Sequence, residues 1–152
     1  MEVLITKQFL PLGINEAWDF FSKPGNLKKI TPDYMGFDIT SDYIEEEMYP
    51  GMIITYKVKP LLSIPLNWAT EITHVKKPYY FVDNQKKGPF AVWHHQHHFE
   101  EVEGGVQMKD IVHYAAPLGI LGLPVEKTII KQRVKHIFDY RYKVLEEYFK
   151  HG

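Results

Sequence analysis

Residues 124–150 read PVEKTIIKQRVKHIFDYRYKVLEEYFK, a stretch without glycine and without proline after its first residue. At about 100° per residue its main apolar positions fall on one broad stripe, as in an amphipathic helix. These positions are Ile130, Val134, Ile137, Phe138, Val144, Leu145 and Tyr148. A helix of about 25 residues is about 37 Å long, which is enough to cross a whole domain. The sequence therefore predicts one long C-terminal helix with a single face to bury.

The segment from residue 36 to residue 116 has a different pattern, in which short runs rich in β-branched and aromatic residues alternate with turn residues. Breaks such as Pro50-Gly51 and Glu103-Gly104-Gly105 leave only short connections, which indicate an antiparallel meander. The predicted strands are Phe37–Glu46, Met52–Lys59, Leu66–Lys76, Tyr79–Lys86, Ala91–Val102 and Val106–Ala116.

The N-terminal part predicts one further strand, Glu2 to Leu12, followed by two short helices. Asn15 is a good N-cap for the first helix, and Pro24–Ile30 forms the second, which ends before Pro32. A sheet with one apolar face must bury that face, and the long helix is the only sizeable candidate. We predict a single α+β domain over residues 1–152. It has a seven-stranded curved antiparallel sheet around a long C-terminal helix, with two short helices after the first strand.

Composition narrows the classes of function. Hydrophobic residues make up 45% of the 152 residues, which is enough for a substantial core. The net charge of -1 gives no general attraction to nucleic acid or to an anionic membrane. With no cysteine, disulfides, thiol catalysis and cysteine-bound metals are excluded. The start MEVLITKQF lacks the features of a secretion signal, and no apolar run approaches the roughly 20 residues that span a bilayer. We expect a cytoplasmic protein without stable membrane insertion.

Four phrases, together with the order of elements, carry a resemblance to a known family. The phrases are FFSKPGNLKKITP (20–32), FVDNQKKGPFAVWHHQHHFE (81–100), KDIVHYAAPLG (109–119) and IFDYR (137–141). Over essentially its whole length the chain resembles the Bet v1-like (SRPBCC) superfamily, which includes START-type lipid-binding domains and polyketide cyclase-like proteins. The phrases are similar to a bacterial ligand-binding branch. The resemblance implies a helix-grip fold with a pocket for an apolar small molecule, but it does not select one activity.

Alternation within the strands predicts which side chains face the interior. On the strand 91–102, the face with Trp93 and Phe99 turns inward, and His94 and His98 lie on the solvent face. Extended to the other strands and to the long helix, this argument predicts a pocket lining in which aromatic groups surround a few polar ones. The predicted lining is Trp68, Phe81, Asp83, Gln85, Trp93, His95, His97, Phe99, Met108, Asp110, Val112, Tyr114, Ile130, Val134, Ile137, Phe138 and Arg141. The alternative is that these groups satisfy one another in an ordinary core.

Arg141 falls near the middle of the apolar stripe of the helix, where a charge needs an acidic partner. The comparison uses the distance of each residue from the connection between the last strand and the long helix. Arg141 and Asp110 lie at similar distances from it, and Asp83 lies closer to that end of the sheet, so Asp110 is favoured as the partner. The tight turn at 103–105 then brings His97 or Phe99 opposite Asp110. We predict a buried cluster of Arg141, Asp110 and His97 at the closed end of the cavity, with a structural role in preference to a catalytic one.

The run WHHQHHFE (93–100) raises two chemical possibilities. His95 and His97 with Asp110 could form a site of two histidines and one carboxylate. No fourth ligand is evident, and histidines at every second strand position are common without metal, so we predict no metal and no cofactor. The resemblance also implies a cyclase or dehydratase that moves a proton, for which the candidate residues are His95, His97, Asp110 and Tyr114.

Two connections are unusually apolar for loops, PLLSIP (60–65) and APLGILGLP (116–124). We expect them to form the rim and gate of the pocket through Leu61, Leu62, Ile64, Leu118, Ile120 and Leu121. The alternatives are that they pack on each other or form a homodimer contact. The first functional prediction is an intracellular carrier or sensor of a hydrophobic metabolite, lipid or polyketide-like compound. A cofactor-free cyclase or dehydratase, and a protein-interaction module acting through the apolar loops, are the alternatives.

Overall fold

The computed structural model describes residues 1–42, 45–59, 64–116 and 127–150. Two short 3₁₀ helices, Pro24–Ile30 and Asp33–Met35, follow the first α-helix. The other elements are β1 (Glu2–Leu10), α1 (Ile14–Phe21), β2 (Asp38–Ile39), β3 (Ile53–Val58), β4 (Leu66–Lys76), β5 (Tyr80–Lys87), β6 (Val92–Val102), β7 (Gly105–Ala115) and α2 (Lys127–Tyr148). This order confirms the predicted α+β class. In the part of the chain that the structure describes, no helix combines the length and the apolar composition needed to cross a membrane.

The seven strands form one sheet in the order β1-β7-β6-β5-β4-β3-β2, with antiparallel pairing between all neighbours. The strands β2 to β7 follow one another as a meander, and β1 returns to pair with β7 along its whole length. Between β6 and β7 the turn is closed at Gly104, whose φ of 83° suits glycine. The register between β4 and β5 shifts twice, and such bulges bend a strand and increase its twist. The sheet curves around α2 as predicted.

The core has two parts, both between the sheet and the helices. The first contains Trp18 of α1, Phe81, Phe99 and Leu145. The second, nearer the start of α2, contains Val112, Tyr114, Ile130, Val134 and Phe138. A polar contact also ties α2 to the sheet, because Gln8 Nε2 donates a hydrogen bond to the carbonyl oxygen of Tyr142 at 2.8 Å. The helix therefore packs across the sheet at both of its ends.

Three local expectations were wrong. The second strand is only Asp38–Ile39 instead of Phe37–Glu46, because the amides of Thr40 and Ser41 both donate to the carbonyl oxygen of Thr55 and end the ladder. Asn15 is not the N-cap of α1; the helix begins at Ile14, whose apolar side chain is buried in the first core. Tyr148 is exposed although it was predicted on the buried stripe; it is the last residue of α2, and its ring packs beside those of Phe20 and Phe149.

Packing of α2 can be tested at Leu145, which is completely buried in the first core. We expect Leu145→Ala to lower the free energy of unfolding by about 2–5 kcal/mol, because it removes buried apolar groups and leaves a cavity. Ile129 lies on the same helix and is exposed, so Ile129→Ala is the matched control and should change stability by less than about 0.5 kcal/mol. Urea unfolding measures both, and equal losses in the two variants would contradict this packing.

Candidate functional site

A cavity of about 110 Å³ lies between the sheet and α2. Its wall is built by β3, β4, β5 and β6, by the 3₁₀ helices and by one face of α2. Most of the lining side chains are apolar or aromatic, among them Ile54, Tyr56, Trp68 and Phe90. The charged and imidazole groups in the wall are Asp83, His95, His97, Arg133 and Arg141. An apolar wall with a few convergent polar groups is typical of a small-molecule site.

About half of the predicted lining residues lie in this wall. They are Trp68, Phe81, Asp83, Trp93, His95, His97, Ile130, Ile137 and Arg141. The others lie outside it because packed side chains occupy both ends of the sheet face. Phe99 and Met108 belong to the first core, and the second core takes four more, namely Val112, Tyr114, Val134 and Phe138. Gln85 closes a turn instead, with its side-chain amide bonded to both backbone groups of Phe90.

Sequence reasoning missed several lining residues. Leu27, Thr31 and Met35 come from the short 3₁₀ helices and their connection, and Ile54 and Val58 come from β3. The β3 residues could have been found, because they alternate at period two along that strand. Nothing in the local pattern of the 3₁₀ segment indicates which side faces a cavity.

The predicted rim lies mostly outside the described residues: Leu61, Leu62, Leu118, Ile120 and Leu121 are not among them. Ile64 is described, and it is half-buried and does not line the cavity. The gate and the homodimer contact therefore stay predictions.

Four polar side chains from three adjacent strands come together beside the cavity, and three of them line it. Across β5 and β6, Asp83 pairs with His95, and across β6 and β7, His97 pairs with Asp110. His95 Nε2 lies 2.7 Å from Asp110 Oδ1, and His97 Nε2 lies 2.6 Å from Asp83 Oδ2. The two imidazole rings stack with their centroids 3.6 Å apart. We call Asp83, His95, His97 and Asp110 the His–Asp cluster.

Arg141 lies beside this cluster, with its side chain 13% exposed and Nη1 4.0 Å from Asp110 Oδ1. Its guanidinium also lies over the Phe138 ring, 4.9 Å from the centroid. Arg141, Asp110 and His97 thus come together, but two details differ from the sequence prediction. First, the short contact to Asp110 comes from His95 and not from His97. Second, Asp83 also belongs to the group, because it lies directly opposite His95 on the neighbouring strand. A comparison of positions along α2 does not reveal this pairing between strands.

The face of β6 away from the cavity carries His94 and His98, which were expected in solvent. Both are half-buried, because they are engaged with polar neighbours on the same face. His94 Nδ1 lies 2.6 Å from Asn84 Oδ1, and the Gln96 amide lies between the two imidazoles, 3.1 Å from His94 Nε2 and 3.0 Å from His98 Nε2.

Burial and neighbouring charges set the protonation of the cluster. Burial lowers the pKa of His97 to about 4, in spite of the nearby carboxylates. Burial alone would raise the pKa of Asp110, but the His95 hydrogen bond and the positive charges nearby, including Arg141, hold it well below its usual range. Burial would also raise the pKa of Asp83, but the hydrogen bond from His97 and the electrostatic attraction of His95, His97 and Arg141 together lower it. At neutral pH both carboxylates are therefore ionised and His97 is neutral.

Two buried donors in the cavity wall have no partner among the described residues. Trp68 Nε1 and Arg141 Nε donate no hydrogen bond to any of the residues that the structure describes, and both side chains line the cavity. A buried donor without a partner costs about 1–3 kcal/mol, so an acceptor supplied by a bound molecule would stabilise the site. Tyr114, one of the four acid–base candidates, is in the second core and outside the wall.

Solved structures share this architecture at low sequence identity. A START superfamily protein from Mycobacterium smegmatis is 10% identical with a TM-score of 0.73, covering 98% of this chain and 97% of that one. Ara h 8.0201 is 14% identical with a TM-score of 0.65, and the match covers 99% of each chain. Protein Ms6760, also from Mycobacterium smegmatis, is 17% identical with a TM-score of 0.68, covering 97% of this chain and 90% of that one.

The chain therefore has the helix-grip fold of the START and Bet v1-like proteins, which confirms the fold that the sequence resemblance implied. No protein-family model matches the sequence, and no curated protein matches it either. The likeness extends to the fold alone, so the function has to be argued from the site.

Proposed function

We propose that this protein binds a hydrophobic small molecule, a lipid or a polyketide-like compound, in the cavity and acts in the cytoplasm as its carrier or sensor. The observation that supports the proposal most is the wall itself, which is mainly apolar and aromatic, while its strongest polar groups are engaged with one another. A guest would gain affinity mainly from the apolar area that it buries, at about 25 cal/mol per Å² before ordering costs.

The two free donors add a chemical detail to the guest. Trp68 Nε1 and Arg141 Nε would each donate a hydrogen bond to an oxygen of the bound molecule. A ketone, ester or phenol oxygen on an otherwise apolar skeleton meets this requirement. A carboxylate on the guest is less suitable, because Asp83 and Asp110 already place two negative charges near the guanidinium of Arg141.

Native mass spectrometry of freshly purified protein, followed by organic extraction, tests the proposal directly. We expect an adduct whose extract contains an apolar compound with at least one oxygen. If no adduct is found, and the protein also leaves the fluorescence of 8-anilinonaphthalene-1-sulfonate unchanged, the proposal is contradicted.

A cavity-filling variant provides a second test. Ile137 lines the cavity from α2, so Ile137→Trp should fill part of it and weaken 8-anilinonaphthalene-1-sulfonate binding at least about tenfold, because the probe loses the apolar surface that it would bury. Ile129→Trp places the same side chain on the exposed face of the same helix and serves as the control, with binding like that of the wild type. Circular dichroism verifies that both variants fold. Equal binding by the two variants would mean that the probe binds elsewhere.

A second candidate function is that of a cyclase or dehydratase, and one observation favours it. His95 and His97 both line the cavity, and each has a carboxylate within hydrogen-bond distance, an arrangement that can move a proton. Incubating the extracted compound with the protein separates the two functions. A carrier returns it unchanged, whereas an enzyme converts it at a rate that His97→Gln abolishes.

A further inference from the structure

The His–Asp cluster has two sides with respect to the cavity. Asp83, His95 and His97 line the cavity, whereas Asp110 does not and lies behind the imidazoles. Each imidazole directs one nitrogen to each carboxylate. His95 has Nδ1 3.8 Å from Asp83 Oδ2 and Nε2 2.7 Å from Asp110 Oδ1. His97 has Nε2 2.6 Å from Asp83 Oδ2 and Nδ1 3.4 Å from Asp110 Oδ1.

Each carboxylate of the cluster is approached by two ring nitrogens. One nitrogen lies at hydrogen-bond distance, 2.7 Å for Asp110 and 2.6 Å for Asp83. The second lies at 3.4 Å for Asp110 and at 3.8 Å for Asp83. The two carboxylates also face one guanidinium, that of Arg141. A cation on the cavity side of Asp83 would therefore meet a carboxylate and the ring nitrogens of two imidazoles.

The positions of the atoms on the cavity side suit a metal ion. Asp83, His95 and His97 each offer a ligand atom, and these atoms all lie within 4.8 Å of one another. Ligands bound at about 2.1 Å from one ion stand about 3–3.5 Å apart, so small side-chain movements complete the set. Two histidines and one carboxylate are a ligand set for divalent first-row metals that leaves coordination positions open.

Asp110 is placed to orient both ligands from behind. His95 Nε2 already donates to it, so an ion would take the other ring nitrogen, Nδ1, on the side of Asp83. When an ion takes His97 Nε2, the proton on that nitrogen moves to Nδ1, which then faces Asp110 Oδ1. One carboxylate would thus hold both imidazoles in the tautomer that metal binding requires, as carboxylates commonly do behind metal-binding histidines.

We propose that Asp83, His95 and His97 bind one divalent first-row transition-metal ion, with Asp110 as the positioning residue and the open coordination positions facing the cavity. The sequence alone predicted no metal because it offered Asp110 as the carboxylate of the set and no further ligand. The structure places Asp83 in that role and Asp110 behind it. The inference depends on four side chains and does not require that the cavity bind an organic guest.

The test is titration of the full chain, without an affinity tag and after treatment with EDTA, with Co²⁺ followed by visible spectroscopy. We expect one ion per chain, with ligand-field bands of a nitrogen- and oxygen-bound site. His97→Gln and Asp83→Asn should each weaken binding by more than about 100-fold, and Asp110→Asn by about 10- to 100-fold. The double variant His94→Gln, His98→Gln alters two imidazoles of the same strand on the opposite face and should bind Co²⁺ like the wild type.

Two results would overturn the proposal. One is the absence of Co²⁺ and Zn²⁺ uptake by folded wild-type protein, and the other is uptake that survives His97→Gln but is lost in the double variant. Should a cluster variant fail to fold, imidazole NMR of the wild type decides: Zn²⁺ must shift the signals of two of the eight histidines and leave the others unchanged. The 8-anilinonaphthalene-1-sulfonate tests of guest binding are to be made in EDTA, where no metal is bound. A failure of the metal site and a failure of guest binding can therefore be distinguished.

Discussion

Replacing Asp110 with alanine is expected to lower the free energy of unfolding by about 3–5 kcal/mol. Asp110 is 2% exposed, accepts a hydrogen bond from His95 and faces the guanidinium of Arg141. Without the carboxylate, a buried imidazole N–H loses its partner and the positive charge loses its nearest counter-charge. The penalty is therefore that of leaving buried groups unpaired, which exceeds the net contribution of a pair that is present. Urea unfolding in EDTA measures the loss.

The matched control for this variant is Asp139→Ala. Asp139 also forms an ion pair, with Lys135 one helical turn away at 2.6 Å, but both side chains are more than half exposed. An exposed pair of this kind contributes about 0.3–0.5 kcal/mol. If Asp110→Ala destabilises the protein no more than Asp139→Ala does, the His–Asp cluster is not a coupled buried unit and its interpretation here is wrong.

Much of the fold could be predicted because its signals are local. The stripe on α2 and the alternation on β6 and β7 follow from helix and strand geometry, and short turns such as the one at Gly104 set the meander. The errors have a different origin. The length of β2 depends on how Thr40 and Ser41 meet β3, and their two amides converge on the carbonyl oxygen of Thr55, which ends the pairing. Such competition for one acceptor has no signature in the sequence.

The site could be predicted only in part for a related reason. Alternation along β6 turns His95 and His97 to the same side, and the tight turn after β6 fixes His97 opposite Asp110. The position of Asp83 depends on the register between β5 and β6, which the longer connection at residues 88–91 sets through the Gln85–Phe90 contacts. That register is a tertiary property. It brings Asp83 opposite His95.

The extent of the cavity is likewise a matter of packing. Inward-facing residues continue along the whole sheet, but Trp18 from α1 packs its ring against Phe81 and Phe99 and fills one end. For this reason Phe99 became part of the core although its alternation matched that of His95 and His97. Periodicity identifies the inner face of a sheet, and the elements packed on that face determine where it stays open.

Acidification is expected to lower the free energy of unfolding, and above about pH 4 the main cause is His97 and not the exposed groups. Its pKa is about 4 in the folded protein and 6.5 as the ordinary value. Between these values the unfolded chain binds a proton that the native state does not, so the free energy of unfolding falls as pH falls. Between these two pKa values the free energy of unfolding falls by about 3 kcal/mol, because each pKa unit corresponds to about 1.4 kcal/mol. The lowered pKa values of Asp83 and Asp110 act in the same direction at still lower pH.

His97→Gln isolates this effect, because the Gln amide can still donate to Asp83 but does not titrate. We expect the variant to be less stable at neutral pH and yet to lose most of the decline between about pH 6.5 and about pH 4, measured by urea unfolding in EDTA. His74→Gln, at an exposed strand position, keeps the wild-type slope as the control. An unchanged slope in His97→Gln would place the titrating group elsewhere. A lost slope would mean that folding holds this imidazole neutral beside two carboxylates, with its Nε2–H donating to Asp83 at the cavity wall.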